Sequence, residues 1–229
     1  PEGGKVAKGR ALQNLINIEN DDKVKAFLVT QDLKDQEYIN NHFIIMATKK
    51  GQVKKTLLEQ YSRPRANGIA AITIKDGDEL LEAKLTTGDS QVMLALRSGK
   101  SIRFEEEKTR PMGRGASGVR GITLAHKNDE VVGMVAVNDM ESNILVVSEK
   151  GYGKRSNLED YRITNRGGKG VKTLNISEKT GDVVAIKNVT DEDDLMIINK
   201  SGITIRLAVN GLRVMGRATQ GVKLINIKG

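Results

Sequence analysis

The chain repeats itself, and the repeating unit is a hairpin followed by a glycine-rich box. A short apolar strand runs into a turn glycine and then into a strand carrying a basic residue. This occurs in FIIMATKKGQVKK (43–55), VMLALRSGKSIRF (92–104), ILVVSEKGYGKRS (144–156) and LMIINKSGITIRL (195–207). The turn glycines Gly51, Gly99, Gly151 and Gly202 recur at roughly 50 residues, a period typical of repeat architectures. Four positions after each glycine stands a cation: Lys55, Arg103, Arg155 and Arg206.

The box that follows reads RPRANGIAAITI (63–74), GRGASGVRGITL (113–124), NRGGKGVKTLNI (165–176) and GRATQGVKLINI (216–227). The N-terminal GGKVAKGRALQNLINI (3–18) is a further copy without its hairpin. An acidic turn and another apolar strand, such as VVGMVAV (131–137), come next. Runs of Val, Ile and Leu bounded by Gly, Asn and Asp read as strands and hairpins. LLEQY (57–61) and NLEDY (157–161) allow a single helical turn at most. The expected fold is all-β, a propeller-like disk of about five four-stranded blades with the first incomplete. The repeats run approximately over 1–42 (partial), 43–91, 92–141, 142–193 and 194–229 (partial).

Charge is sorted within this repeat. The formal net charge is +8, but the segments from hairpin turn to box are strongly basic and the remainder is net acidic. Stacking equivalent positions turns a sorted sequence into a sorted surface, and a basic band fits a phosphate backbone. With no Trp and only 3% aromatic residues, the chain lacks the base-stacking platform of single-strand binders, so the expected partner is duplex DNA. Helix-turn-helix and zinc-finger patterns are absent, which leaves phosphate contact rather than base readout. The cations expected to neutralise phosphates are Lys54, Lys55, Arg103, Arg114, Arg120, Lys154, Arg155, Arg166, Lys169, Lys172, Arg206, Arg217 and Lys223. Box glycines permit close backbone approach, and their N–H groups can form anion nests. A rim holds DNA only if the DNA curves, and a half-turn over ~40 bp costs roughly 10 kcal/mol.

RGGKG at 166–170 resembles the core of the gyrase-A box, QRRGGKG, with Thr164-Asn165 replacing the leading Gln-Arg. PEGGKVAKGRALQNL at the start and FIIMATKKGQVKKT at 43–56 are also similar to the C-terminal domain of the A subunits of type IIA topoisomerases, of the bacterial DNA gyrase kind. The resemblance implies a β-pinwheel whose blades exchange strands and whose outer edge binds and wraps duplex DNA. It also implies association with the gyrase A N-terminal region and with the gyrase B subunit in a cytoplasmic, ATP- and Mg2+-dependent supercoiling enzyme. Arg166, Gly167, Gly168, Lys169 and Gly170 then form a degenerate box in a later blade, and the chain is an N-terminally truncated fragment.

No catalytic residue, metal site or cofactor is expected in this stretch. There is no Cys and only His42 and His126, which excludes thiolate zinc and three-His centres. Tyr61 and Tyr161 recur ahead of their boxes, as packing residues do. Gly168-Lys169-Gly170 lacks the Ser or Thr of a nucleotide P-loop. The Asp191–Asp194 run reads as a solvated turn. Two other readings fit the same surface: a topoisomerase IV A-subunit tail, and a propeller that scaffolds protein partners.

Overall fold

A computed structural model describes residues 22–226 together with Lys8, Asn14, Ile16 and Ile18. The N-terminal box copy at 3–18 therefore lies largely outside the described residues. A short helix, α1 (Gln36–Asn41), precedes the first hairpin; the Asp35 side chain accepts from the backbone N–H groups of Glu37 and Tyr38 and starts it. No sequence pattern announces α1, because six residues are too few to show a helical period.

Fourteen strands follow. They are β1 (Phe43–Thr48), β2 (Gln52–Leu57), β3 (Leu80–Thr86), β4 (Gln91–Leu96), β5 (Lys100–Glu105), β6 (Val119–Arg120) and β7 (Val131–Val137). Then come β8 (Asn143–Ser148), β9 (Tyr152–Asn157), β10 (Val171–Lys172), β11 (Val183–Val189), β12 (Asp194–Ile198), β13 (Thr204–Ala208) and β14 (Val222–Lys223). They form three four-stranded antiparallel sheets, β3-β1-β2-β6, β10-β5-β4-β7 and β11-β8-β9-β14, and a two-stranded β12-β13.

Each complete blade takes its fourth strand from the next repeat. β6, from the box at 113–124, pairs with β2 (Val53↔Val119); β10 pairs with β5 (Ser101↔Val171); β14 pairs with β9 (Gly153↔Val222). The hairpin glycine secures the joint. It adopts positive φ, 85° at Gly51, 83° at Gly99 and 80° at Gly151. The Gly51 carbonyl then accepts from the N–H groups of Gly121 and Ile122 in the incoming box, and Gly99 and Gly151 do the same for Thr173/Leu174 and Leu224/Ile225. A Cβ on Gly51 would stand 2.8 Å from the Ile122 carbonyl oxygen, so glycine is required twice over.

Strand alternation explains why the middle strands read as unbroken apolar runs. In β4, Val92, Leu94 and Leu96 face a core shared with Ile45, Ala47 and Val53 of the first blade. Met93 and Ala95 face the opposite way, into a core shared with Ile144, Val146, Leu158 and Tyr161. A blade between two neighbours thus buries both faces, and neither face needs polar residues. β12 and β13 are covered on one face only, over Leu145, Val189 and Val209. Met196 and Ile198 stay exposed on the other. β3, β7 and β11 pack on one another along one edge of the sheets, and the box strands line the opposite edge.

Candidate nucleic-acid interface

The expected cations separate into two populations. Lys54, Lys55, Arg103, Lys154 and Arg155 are at most 8% exposed. This corrects their assignment as surface phosphate ligands: their charged heads are spent on protein oxygens at the joints between blades. Lys54 donates to the carbonyls of Ala71 (2.5 Å) and Arg114. Lys154 donates to the Gly216 carbonyl at 2.6 Å. Burial lowers the pKa of each to about 8, with Arg114 adding to the effect on Lys54.

Their neighbours one residue on act alike. Arg103 Nη1 donates to the carbonyls of Leu158 (2.8 Å) and Tyr161 (2.9 Å), and its Nε donates to Gln91 Oε1. Arg155 Nε donates to the Leu212 carbonyl at 2.5 Å, and its Nη1 pairs with Asp191. Lys55 pairs with the fully buried Glu106 at 3.0 Å. Both faces of β2, β5 and β9 are covered, so consecutive residues such as Lys54 and Lys55 are both buried, each with a long cationic stem over apolar surface and a head bonded to protein oxygens. The fourth member, Arg206, lies in the last hairpin, remains exposed and pairs with Asp194.

The second population lies on the box edge. Arg120, Lys172 and Lys223 follow the box glycines Gly118, Gly170 and Gly221 at the same interval and are all exposed. Each sits on its two-residue exchanged strand, so three successive blades present a cation from one register position. Lys169 is exposed as well. A further set falls in register eight residues before the same glycines: Arg110, Arg162 and Arg213, all exposed. Charge sorting by repeat does not single these out, although the interval to the box glycine is the signal that finds them. Each precedes the residue (Pro111, Ile163 or Val214) that forms a parallel bridge to Lys55, Arg103 or Arg155.

Arg114, Arg166 and Arg217 are half-buried. Arg114 Nη1 donates to the Ala70 carbonyl, Arg166 Nη1 to the Arg120 carbonyl and Arg217 Nη1 to the Lys172 carbonyl. Arg166 Nε also reaches the Lys108 carbonyl at 2.9 Å. Within the degenerate box, Gly167 and Gly170 have positive φ. The Gly167 N–H is not free for an anion, because it donates to the Gly121 carbonyl at 2.6 Å. Ile102 stands where the other blades carry Lys54 and Lys154, and a Cβ on Gly168 would lie 3.5 Å from its Cδ1. Among the described residues no three His, Asp or Glu side chains gather as a metal would need, and no helix is long and apolar enough to cross a membrane.

Known proteins resemble this chain in sequence and in fold. The chain is 43% identical to the DNA gyrase A subunit of Staphylococcus aureus (strain NCTC 8325 / PS 47) over 228 residues, which is 99% of this chain and 25% of that protein. It therefore spans about a quarter of the length of this curated relative. Among solved structures, the C-terminal domain of DNA topoisomerase IV matches with a TM-score of 0.86 at 22% identity, covering 95% of this chain and 66% of that one. The DNA gyrase A C-terminal domain matches with a TM-score of 0.85 at 22% identity, covering 97% and 72%. These two establish the shared fold. The family model described as DNA gyrase C-terminal domain, beta-propeller matches residues 42–87, 92–138, 142–190 and 193–229, and the chain belongs to that family.

Proposed function

We propose that this chain is a duplex-DNA-binding and DNA-bending domain of the gyrase A protein, without chemistry of its own. The observation that carries the reading is the row Arg120, Lys172 and Lys223: exposed cations from one register position on three successive blades. Lys169, Arg110, Arg162 and Arg213 widen that row, and Arg206 lies in the last hairpin. These groups meet phosphates rather than base edges, because among the described residues the box strands are two residues long and offer no ribbon to enter a groove. DNA that follows such an edge is curved. In the whole enzyme the domain would present the curved segment to the N-terminal region of gyrase A and to the gyrase B subunit, where ATP and Mg2+ drive strand passage in the cytoplasm. The 43% identity to a gyrase A protein favours gyrase over topoisomerase IV.

The test has two readouts. Titration of a linear duplex at several salt concentrations should give affinity that falls steeply with salt. Lys169→Gln with Lys172→Gln should lower the log–log slope by about 0.9 for each phosphate no longer neutralised. Relaxed circular DNA closed by ligase with the chain bound should trap a change in linking number. Salt-insensitive binding, or none, would support a protein scaffold instead.

A further inference from the structure

We propose that Arg114, Arg166 and Arg217 are positioning residues that staple each box to the one before it, fixing the pitch between neighbouring blades and so the path of the bound duplex. The effect on DNA rests on the function proposed above; the staple itself does not.

The three arginines stand four residues before the box glycines Gly118, Gly170 and Gly221. Each donates to the carbonyl found two residues after the preceding box glycine: Ala70 after Gly68, Arg120 after Gly118 and Lys172 after Gly170. One bond is thus repeated three times from box to box along the edge. A second bond runs in the opposite sense. Thr73 N–H donates to the Ala116 carbonyl, Thr123 N–H to Gly168 at 2.8 Å and Asn175 N–H to Thr219 at 3.1 Å. Each box is therefore held to the next from both sides.

The Arg166 and Arg217 ties act between sheets, since β6 belongs to the first sheet, β10 to the second and β14 to the third. At the opposite edge, β3, β7 and β11 pack side by side. The first residues of β7 and β11 are pinned there to the turn of the preceding hairpin, Val131 N–H to the Lys49 carbonyl and Val183 N–H to the Arg97 carbonyl. With that edge fixed, the length of the arginine bridge at the box edge sets the angle between blades. The guanidinium suits this role, because its planar fork lets Arg166 reach the Arg120 carbonyl at 3.0 Å and the Lys108 carbonyl at 2.9 Å together. A lysine keeps the charge but replaces the two-nitrogen planar fork with a single nitrogen. The exposed cations Arg120 and Lys172 lie on the stapled residues themselves, so a change in pitch moves the phosphate-binding row directly.

The experiment uses Arg166→Lys in the free protein. The chain has no cysteine, so Glu59→Cys and Glu107→Cys allow clean spin labelling of equivalent turns on the first two blades. We expect the label-to-label distance distribution to shift or broaden in Arg166→Lys without DNA, with the circular dichroism spectrum unchanged. Arg217→Lys, read between Glu107→Cys and Glu159→Cys, serves as an independent second joint should Arg166→Lys misfold. On duplex DNA, Arg166→Lys should keep the salt slope while altering the linking-number change trapped per bound chain. Distances identical to the parent at both joints would overturn the staple. Loss of DNA binding by the parent would instead overturn the function proposed above and leave the distance result standing.

Discussion

Lys55 Nζ lies 3.0 Å from Glu106 Oε1 across the joint between the first two blades, and both side chains are sealed from solvent. Glu106 also accepts from Thr86 Oγ1 at 2.7 Å and from the Ser90 N–H at 3.2 Å. Lys55 donates to the Gly88 carbonyl and sits 4.3 Å above the Phe43 ring. Glu106→Ala leaves an unpaired ammonium in the interior and should cost about 3–5 kcal/mol in urea denaturation. Lys55→Met in that background should recover part of the loss. A double-mutant cycle should give a coupling above about 1 kcal/mol that high salt does not erase, because buried pairs are poorly screened. Additive losses would mean that the two charges do not sense one another.

The division between buried and exposed cations makes a second prediction. Arg103→Met removes bonds to the Leu158 and Tyr161 carbonyls and should destabilise the chain by about 2–3 kcal/mol. It should leave the salt slope of DNA binding unchanged. Lys223→Gln, on an exposed strand residue, should do the reverse: no measurable loss of stability and a slope smaller by about 0.9. Denaturation and salt titration of the same two variants check both halves.

That division also shows where the sequence stops being legible. The hairpins, the boxes and the all-β class follow from local patterns, since Gly51, Gly99 and Gly151 mark turns and Val or Ile runs mark strands. Arg120, Lys172 and Lys223, which charge sorting by repeat picks out, are exposed. The sorting fails for Lys54 and Arg103, because composition counts a cation without saying that both faces of its strand are covered by neighbouring blades. The acceptors that neutralise them are backbone carbonyls 17 to 60 residues away, which no residue type announces. Strand exchange is hidden from periodicity for the same reason. β6 is two residues long, and its partner lies in another repeat.

A third prediction concerns pH. Lys54 and Lys154 titrate near 8 in the folded chain because burial disfavours their charge, whereas unfolded lysines titrate near the ordinary value of 10.5. Between those values the unfolded chain binds more protons, so folding stability rises with pH. The gain is at most about 1.4 kcal/mol per lysine per pH unit. Tyr61 and Tyr161, whose pKa values are raised by burial, oppose this once unfolded tyrosines ionise near pH 10. The clean window is therefore about pH 8 to 9.5. Denaturation midpoints should climb across it in the parent. The climb should flatten in Lys54→Met and in Lys154→Met, and should nearly vanish in the double variant. Equal slopes in all four proteins would remove the two ammonium groups from the explanation.

The box glycines yield the last test, because Gly118 and Gly68 share one conformation but differ in their surroundings among the described residues. Gly118 has φ +89°, and a Cβ there would stand 2.5 Å from the Val53 carbonyl oxygen of the blade it joins. Gly68 has φ +78°, yet a Cβ there would meet nothing within 4 Å. Its box has no hairpin strand against it among the described residues. The left-handed conformation alone costs an L-residue about 1–2 kcal/mol. Gly68→Ala should therefore lower stability by about that much. Gly118→Ala adds a backbone clash that cannot relax without pushing β6 off β2, and it should cost at least twice as much. Parallel urea denaturation of the two variants measures the difference. Equal losses would mean that the exchanged strand yields freely, and that the joint contributes little beyond the turn itself.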